Sequence, residues 1–220
     1  MLPENNHENI RNKIRGIYII IDPQATKERD IFRIAQSALE GGVKIVQYRD
    51  KINDRSLFLA NALKFKNMCD VYDAIFVIND AVDIAKLSEA DFLHVGQTDL
   101  QVDHCREILT DNQCVGRSNG SVSEALQSES MGCDYIAIGA IYATPTMGKS
   151  HRKPLGPKIV SEIKTLTSIP VVAIGGINET NMINLRNAGA DSVCIVSAIT
   201  FSDNPEDSAK KIVDRWNDFK

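Results

Sequence analysis

Amide and basic side chains that could bind a polyanion stand together in one short stretch, Gln47-Tyr48-Arg49-Asp50-Lys51, directly after an apolar run. If that run is a strand, alternation by two places Gln47, Arg49 and Lys51 on one side and Tyr48 and Asp50 on the other. An amide, a guanidinium and an ammonium directed at one point suit a diphosphate. A solvated strand end with its charges in water is the alternative, and this stretch by itself leaves both interpretations open.

Two aspartates follow two further apolar runs. Asp80 ends the pair Asn79-Asp80, and Asp99 closes the segment His94-Val95-Gly96-Gln97-Thr98-Asp99. Two carboxylates beside a basic cluster can hold a Mg²⁺ that bridges phosphate oxygens. Each aspartate could instead cap the helix that follows it. His94 is expected to be a residue at the edge of the core rather than a catalytic base.

The second half of the chain carries small and hydroxyl residues at similar places. A long loop after Ile138 is rich in Thr, Gly and Lys, and long loops in compact domains are often functional. Gly175-Gly176 and Val196-Ser197 each follow an apolar run. Barrel proteins commonly bind a phosphate at their last two loops. A tight turn is the alternative interpretation of the glycine pair.

Eight short apolar runs, rich in β-branched residues, are the elements that would position these groups. They are Ile17–Ile21, Ile45–Arg49, Ile75–Asn79, Phe92–Val95, Cys114–Arg117, Tyr135–Ile138, Val171–Ile174 and Ser192–Val196. Helical patterns separate them. Ser121 and Glu124 form a capping box for a helix that should stop at Gly132. Asn178 is expected to cap a helix that ends near Gly189, and Gly41-Gly42 should close the helix before the second strand.

Alternating strands and helices predict parallel pairing through right-handed crossovers. Eight such units in about 200 residues predict a single-domain α/β protein, a (β/α)8 barrel. Residues 1–15 are expected to be an N-terminal extension or lead-in helix, and residues 16–220 the barrel. A doubly wound open sheet is the second choice, since it usually has fewer strands and a glycine-rich first turn.

Composition excludes several classes of protein. The 220 residues carry 25 Lys+Arg against 29 Asp+Glu, a net charge of −4, which argues against a nucleic-acid partner. Apolar runs such as Ile17–Ile21 are too short to span a membrane, and the polar N-terminus does not resemble a secretory signal. The five cysteines are scattered without a CxxC pair, which favours reduced thiols. We therefore expect a cytoplasmic protein that binds small molecules, as a monomer or a homodimer.

The ordered set of motifs resembles the thiamine phosphate synthase family over about residues 16–199. It comprises Gln47-x-Arg49-x-Lys51, Asn79-Asp80, His94-x-Gly96-Gln97-x-Asp99, Gly116-x-Ser118, Thr144-x-Thr146, Gly175-Gly176-Ile177 and Val196-Ser197-Ala198. That family is a (β/α)8 barrel that joins 4-amino-5-hydroxymethyl-2-methylpyrimidine diphosphate to a thiazole phosphate, with release of diphosphate.

The resemblance implies a role for each matching residue. Gln47, Tyr48, Arg49, Asp50, Lys51 and Asn79 would bind the pyrimidine diphosphate, with Arg49 and Lys51 catalytic, and Ser118 would act beside the pyrimidine. Asp80 and Asp99 would hold the Mg²⁺ cofactor. Thr144, Pro145, Thr146, Gly176, Val196 and Ser197 would bind the thiazole phosphate.

One position departs from the family pattern. A lysine usually follows the second threonine of the long loop and reaches the diphosphate, but here that residue is Met147. We expect Lys149 to substitute for it as a catalytic cation, since Gly148 allows the chain to bend back. The alternatives are a non-catalytic barrel that binds thiamine phosphate, a paralogue of the thiazole tautomerase type, and a generic phosphate-binding barrel. The tautomerase type would have lost the diphosphate and Mg²⁺ residues that this chain retains.

Overall fold

Eight parallel strands close into one barrel in the computed structural model, which describes residues 11–144 and 153–218. The strands pair in chain order and the last pairs with the first. They are β1 (Gly16–Ile21), β2 (Ile45–Tyr48), β3 (Ile75–Asn79), β4 (Phe92–Val95), β5 (Cys114–Asn119), β6 (Tyr135–Ile138), β7 (Val171–Ile174) and β8 (Ser192–Cys194). The predicted single-domain (β/α)8 barrel is confirmed, and the open sheet is wrong.

Helices surround the barrel. They are α1 (Ile31–Glu40), α2 (Arg55–Val71), α3 (Val82–Leu87), α4 (Val102–Ile108), α5 (Val122–Ser130), α6 (Lys158–Lys164), α7 (Met182–Asn187), α8 (Ser197–Thr200) and α9 (Pro205–Asp218), with a 3₁₀ turn at Pro23–Ala25. None of the helices in the described ranges is long and apolar enough to cross a membrane. All five cysteines lie within those ranges and are buried as thiols without a disulfide.

Strand alternation divides the apolar side chains between two layers. Outward residues such as Ile19, Val46 and Phe76 pack under the helices in the larger core. Inward residues such as Ile45 and Phe92 fill the barrel, and Ile14 packs with that inner group ahead of β1. This is the arrangement that parallel sheets require, because both faces of every strand are covered.

Capping residues and glycines set the helix ends described next, and one predicted cap is wrong. The Ser121 side chain accepts a hydrogen bond from the Glu124 N–H (3.2 Å), and the chain leaves α5 at Gly132 with a positive φ of 84°, as predicted. Asn178 does not cap α7. Its side chain accepts from the Thr180 N–H (2.9 Å) in a local turn, and α7 begins four residues later, at Met182.

Candidate active site

The mouth of the barrel is lined by the last inward residue of successive strands. Alternation brings Gln47 from β2, His94 from β4 and Ser118 from β5 into one layer, with Asn79 beside them. These residues line a cavity of about 650 Å³, which we call the charged cavity. The clustering predicted for the strand ends is therefore observed.

Two ion pairs stand on one side of the charged cavity. Arg49 pairs with Asp22, a buried carboxylate just after β1, and Lys51 pairs with Asp80. The Arg49 side chain is 24% exposed and that of Lys51 is 43% exposed. Asp22 holds the guanidinium against the barrel wall, while the Lys51 ammonium remains accessible to a ligand.

Asp80 and Asp99 lie close enough to interact, although they come from different loops. Burial raises the pKa of Asp99, and the hydrogen bond and negative charge of Asp80 raise it further. The Gly96 N–H donates to Asp99 (2.7 Å) and opposes that shift. Neither aspartate caps a helix, because α3 follows Ala81 and α4 follows Gln101. The capping alternative is therefore wrong.

A second cavity of about 370 Å³ adjoins the first and is built differently. It is lined by Ala143, Thr144, Gly176, Asn178, Val196 and Ser197, and by residues that both cavities share: Gly139, Ala140 and Ile174. We call it the glycine cavity. No lysine, arginine, aspartate or glutamate lines it among the described residues.

Glycine is required where two loops meet at the glycine cavity. Gly175 and Gly176 have φ of 104° and 64°, which disfavour other residues. A Cβ on Gly176 would lie 2.5 Å from the Ala143 carbonyl oxygen. Backbone hydrogen bonds join the same loops, including Tyr142 N–H to Gly175 O at 3.0 Å. The predicted tight turn is therefore observed, and it forms part of the wall of the glycine cavity.

Comparison with known proteins agrees with this geometry. The family model described as "Thiamine monophosphate synthase" matches residues 17–199. The chain belongs to the thiamine monophosphate synthase family. A thiamine-phosphate synthase of Fusobacterium nucleatum subsp. nucleatum is 37% identical over 201 residues, 91% of this chain and 97% of that protein. One from Clostridium acetobutylicum is 36% identical over 205 residues, 93% and 96% of the two chains.

A solved structure extends the likeness to three dimensions. The thiamine phosphate pyrophosphorylase from Pyrococcus furiosus superposes with a TM-score of 0.86 at 28% identity, covering 95% of this chain and 98% of that one. The protein is accordingly an enzyme of the thiamine-phosphate synthase type, a transferase of thiamine biosynthesis. The resemblance inferred from the ordered motifs is confirmed.

Two of the residues assigned to the pyrimidine diphosphate lie away from the charged cavity. Tyr48 is fully buried in the outer core, where its ring packs on Phe58 and Phe65. Its hydroxyl donates to Asp50, whose carboxylate also accepts from the N–H groups of Ile52 (3.1 Å) and Asn53 (3.0 Å). Both side chains hold the β2–α2 loop, because alternation turns them away from the mouth.

Several residues of this synthase-family site were not singled out from the sequence. Lys153 lines the charged cavity, and Tyr18 and Tyr135 lie beneath it at inward strand positions. The two tyrosines could have been found as polar rings at inward positions of otherwise apolar strands. Lys153 follows a basic run, but only the fold brings it to the mouth. Pro145, Thr146, Met147 and Lys149 lie outside the described residues.

Proposed function

We propose that the enzyme joins 4-amino-5-hydroxymethyl-2-methylpyrimidine diphosphate to 4-methyl-5-(2-phosphoethyl)thiazole, and releases diphosphate. The observation that carries this proposal is the pair of adjoining cavities of unlike character. One is lined by ionic side chains and the other by glycines and hydroxyl groups, and they share the wall formed by Gly139, Ala140 and Ile174. Two substrates placed in them would meet at that wall.

The charged cavity suits the pyrimidine diphosphate. Arg49, Lys51 and Lys153 line it, and no carboxylate among the described residues pairs with Lys153. Cations at a diphosphate stabilise the charge that grows on it as its bond to carbon breaks, so they favour the transition state over the ground state. Asn79, Gln47 and Ser118 would orient the rest of this substrate.

Asp80 and Asp99 fit Mg²⁺ by their chemistry. Mg²⁺ prefers one or two carboxylates together with water and substrate phosphates, and these are two interacting carboxylates beside the proposed diphosphate site. Within residues 11–144 and 153–218 there is no cluster of three metal-binding side chains, which agrees with a site completed by substrate. Bound Mg²⁺ would supply positive charge to the leaving diphosphate.

The reaction needs positioning and charge more than proton transfer. The carbon–oxygen bond breaks with its electron pair on diphosphate, and the lone pair of the thiazole nitrogen then forms the carbon–nitrogen bond. Arg49, Lys51 and Lys153 would neutralise the departing group. The Gly176 backbone, Thr144 and Ser197 would hold the thiazole phosphate, with Val196 against its ring. The thiazole nitrogen would then face the pyrimidine-bound carbon that becomes positively charged when diphosphate leaves.

A direct assay tests this function. Purified protein is mixed with both substrates and Mg²⁺, and thiamine phosphate is followed by mass, with and without a chelator. Product that depends on Mg²⁺ is expected. Binding of thiamine phosphate without any turnover would instead support the non-catalytic alternative, and Met147→Lys would be the variant to examine for rescue.

The metal assignment has its own test. Asp99→Asn should raise the Mg²⁺ concentration for half-maximal rate by about tenfold or more, because one anionic ligand is lost. Asp103→Asn is the matched control, since that carboxylate lies on α4 with 72% of its side chain exposed. An unchanged Mg²⁺ requirement in Asp99→Asn would refute the assignment. Light scattering of the same samples distinguishes a monomer from a homodimer, and cell fractionation tests the predicted cytoplasmic location.

A further inference from the structure

A line of hydrogen bonds crosses the barrel interior beneath the charged cavity. The Gln47 Nε2 donates to the Tyr18 hydroxyl (2.7 Å), which lies 3.2 Å from the Tyr135 hydroxyl. The Tyr135 hydroxyl lies 2.7 Å from His94 Nδ1, and His94 Nε2 lies 2.8 Å from Ser118 Oγ. Five side chains from β1, β2, β4, β5 and β6 therefore form one chain of contacts. Both of its ends, Gln47 and Ser118, line the cavity.

Counting donors gives this chain a direction. The Tyr18 oxygen accepts from Gln47, so the Tyr18 hydrogen is directed to Tyr135. The Tyr135 hydrogen is then directed to His94 Nδ1, which must accept. A neutral imidazole that accepts at Nδ1 donates at Nε2, in this case to Ser118.

The two ends of the chain are left with opposite capacities. Ser118 accepts from His94, so its own hydroxyl hydrogen is available to the cavity. Gln47 uses one of its two amide N–H groups on Tyr18, and its amide oxygen is available as an acceptor. A ring held between them meets a donor at Ser118 and an acceptor at Gln47.

We propose that Tyr18, Tyr135 and His94 are positioning residues that fix this polarity, and so make the cavity select an aminopyrimidine over its oxo counterpart. The inference rests on the function proposed above. A 4-aminopyrimidine offers an amine donor and ring-nitrogen acceptors. The 4-oxo form offers a carbonyl acceptor and a ring N–H donor in their place. To place an N–H where the Gln47 amide oxygen lies, the amide would have to turn over, and every hydrogen bond along the chain would have to reverse with it.

The surroundings keep the chain rigid and its two phenols protonated. A Cβ on Gly116 would lie 2.0 Å from Tyr135 Cε1, so the glycine makes room for that ring. The same ring stacks on His94, with centroids 5.7 Å apart and planes 22° apart. Burial raises the pKa of both Tyr18 and Tyr135, which keeps the phenols protonated. A buried network whose inner members are all paired favours one arrangement of hydrogen bonds.

Binding of two small probes measures the selectivity. The probes are 4-amino-5-hydroxymethyl-2-methylpyrimidine phosphate and its 4-oxo analogue, titrated calorimetrically into the intact protein. We expect the amino form to bind at least about tenfold more tightly, because the oxo form leaves buried groups unpaired. In Tyr135→Phe the ratio should fall several-fold, since Ser118 and Gln47 can then reorient independently.

Matched variants distinguish a tyrosine that orients the cavity groups from one that only stabilises the fold. Tyr72→Phe is the control, because the Tyr72 hydroxyl contacts Glu40 on the outer surface (3.2 Å), and its ratio should equal that of the wild type. Tyr18→Phe removes a different hydrogen bond of the line and should lower the binding ratio by a similar factor. Combining it with Tyr135→Phe should lower the ratio little further. Equal selectivity in the wild type and both single variants, or none in the wild type, would overturn the proposal.

Nitrogen NMR provides a readout that needs no ligand and no activity. The wild-type spectrum, assigned by comparison with His94→Gln, should show His94 protonated at Nε2 and unprotonated at Nδ1. The opposite tautomer, or protons on both nitrogens, would overturn the proposed direction. If the assay showed no coupling of substrates while the probes were still discriminated, the synthase reaction would fail and the polarity proposal would stand.

Discussion

The charged cavity and the glycine cavity open at the same barrel mouth but are built by different means. On the side of β2 to β4, the groups proposed to bind an anion are the long side chains of Arg49 and Lys51, each paired with a carboxylate. On the side of β6 to β8, the wall is backbone, and Gly175 and Gly176 hold it in conformations with positive φ. The first region presents charged side chains, and the second presents a backbone surface of defined shape.

This difference matches the chemistry proposed for each half. A leaving diphosphate gains charge during reaction, so cations directed at it lower the barrier. A phosphate that only anchors its substrate needs uniform binding, which lowers KM without raising kcat. Variants in the charged cavity should therefore act mainly on kcat, and variants in the glycine cavity on KM.

Lys51→Ala should have the largest effect. Removing a cation at the leaving group is expected to lower kcat by about 10²–10³, the cost typical of one lost transition-state donor. Lys211→Ala is the control, because it removes another exposed lysine paired with an aspartate, Asp207 on α9. Steady-state kinetics with saturating thiazole phosphate measure both. A rise in KM alone, with kcat intact, would remove the distinction between the two cavities.

Gly176→Ala should act on the other half. The new Cβ would lie 2.5 Å from the Ala143 carbonyl oxygen, so the loop must shift and KM for thiazole phosphate should rise about tenfold or more, in line with a few lost contacts. Gly132→Ala is matched to it, since Gly132 also has positive φ but nothing lies near its Cβ position. Both should lower the melting temperature, but only Gly176→Ala should raise this KM.

Lys153→Ala should have a smaller effect, about three- to tenfold in kcat/KM for the pyrimidine diphosphate. Its ammonium is exposed and therefore screened by solvent and salt. Lys158→Ala, at the start of α6 and outside the cavity lining, is the control. Comparing Lys149→Ala in the same assay shows which lysine compensates for Met147. Lys153 would lose its assigned role if its variant and the Lys158 variant behaved alike.

Asp50→Asn should leave both substrate constants nearly unchanged and lower the free energy of unfolding by about 1–2 kcal/mol, the cost of a weakened charged hydrogen-bond acceptor. Burial by itself would raise the pKa of Asp50, but hydrogen bonds from Tyr48 and Asn53 outweigh it and lower the pKa. Its contribution to stability is therefore present at neutral pH and is lost as the pH falls through the acid range. Denaturant unfolding at pH 7 and pH 3 measures this. A change in KM instead would place Asp50 at the substrate.

Strand positions were predictable because their signal is local. The ends of β3, β4, β6 and β7 match the predicted runs, while β5 continues to Asn119 and β8 ends at Cys194. The first residues of the helices were harder to predict from the sequence. Asn178 has the right residue type for a cap, yet its side chain closes a turn with Thr180 instead. Competing hydrogen bonds of this kind are common for Asn, and residue type cannot decide between them.

The sequence by itself determined the barrel, the family and the rows of residues that face its mouth, because a period of two and ordered motifs are properties of the chain alone. Only the tertiary structure decided which partners those residues meet. It placed Asp22 against Arg49, brought Lys153 to the charged cavity and joined Tyr18, Tyr135 and His94 in one line. Such contacts join strands far apart in sequence, so they arise only when the sheet closes and its register is set.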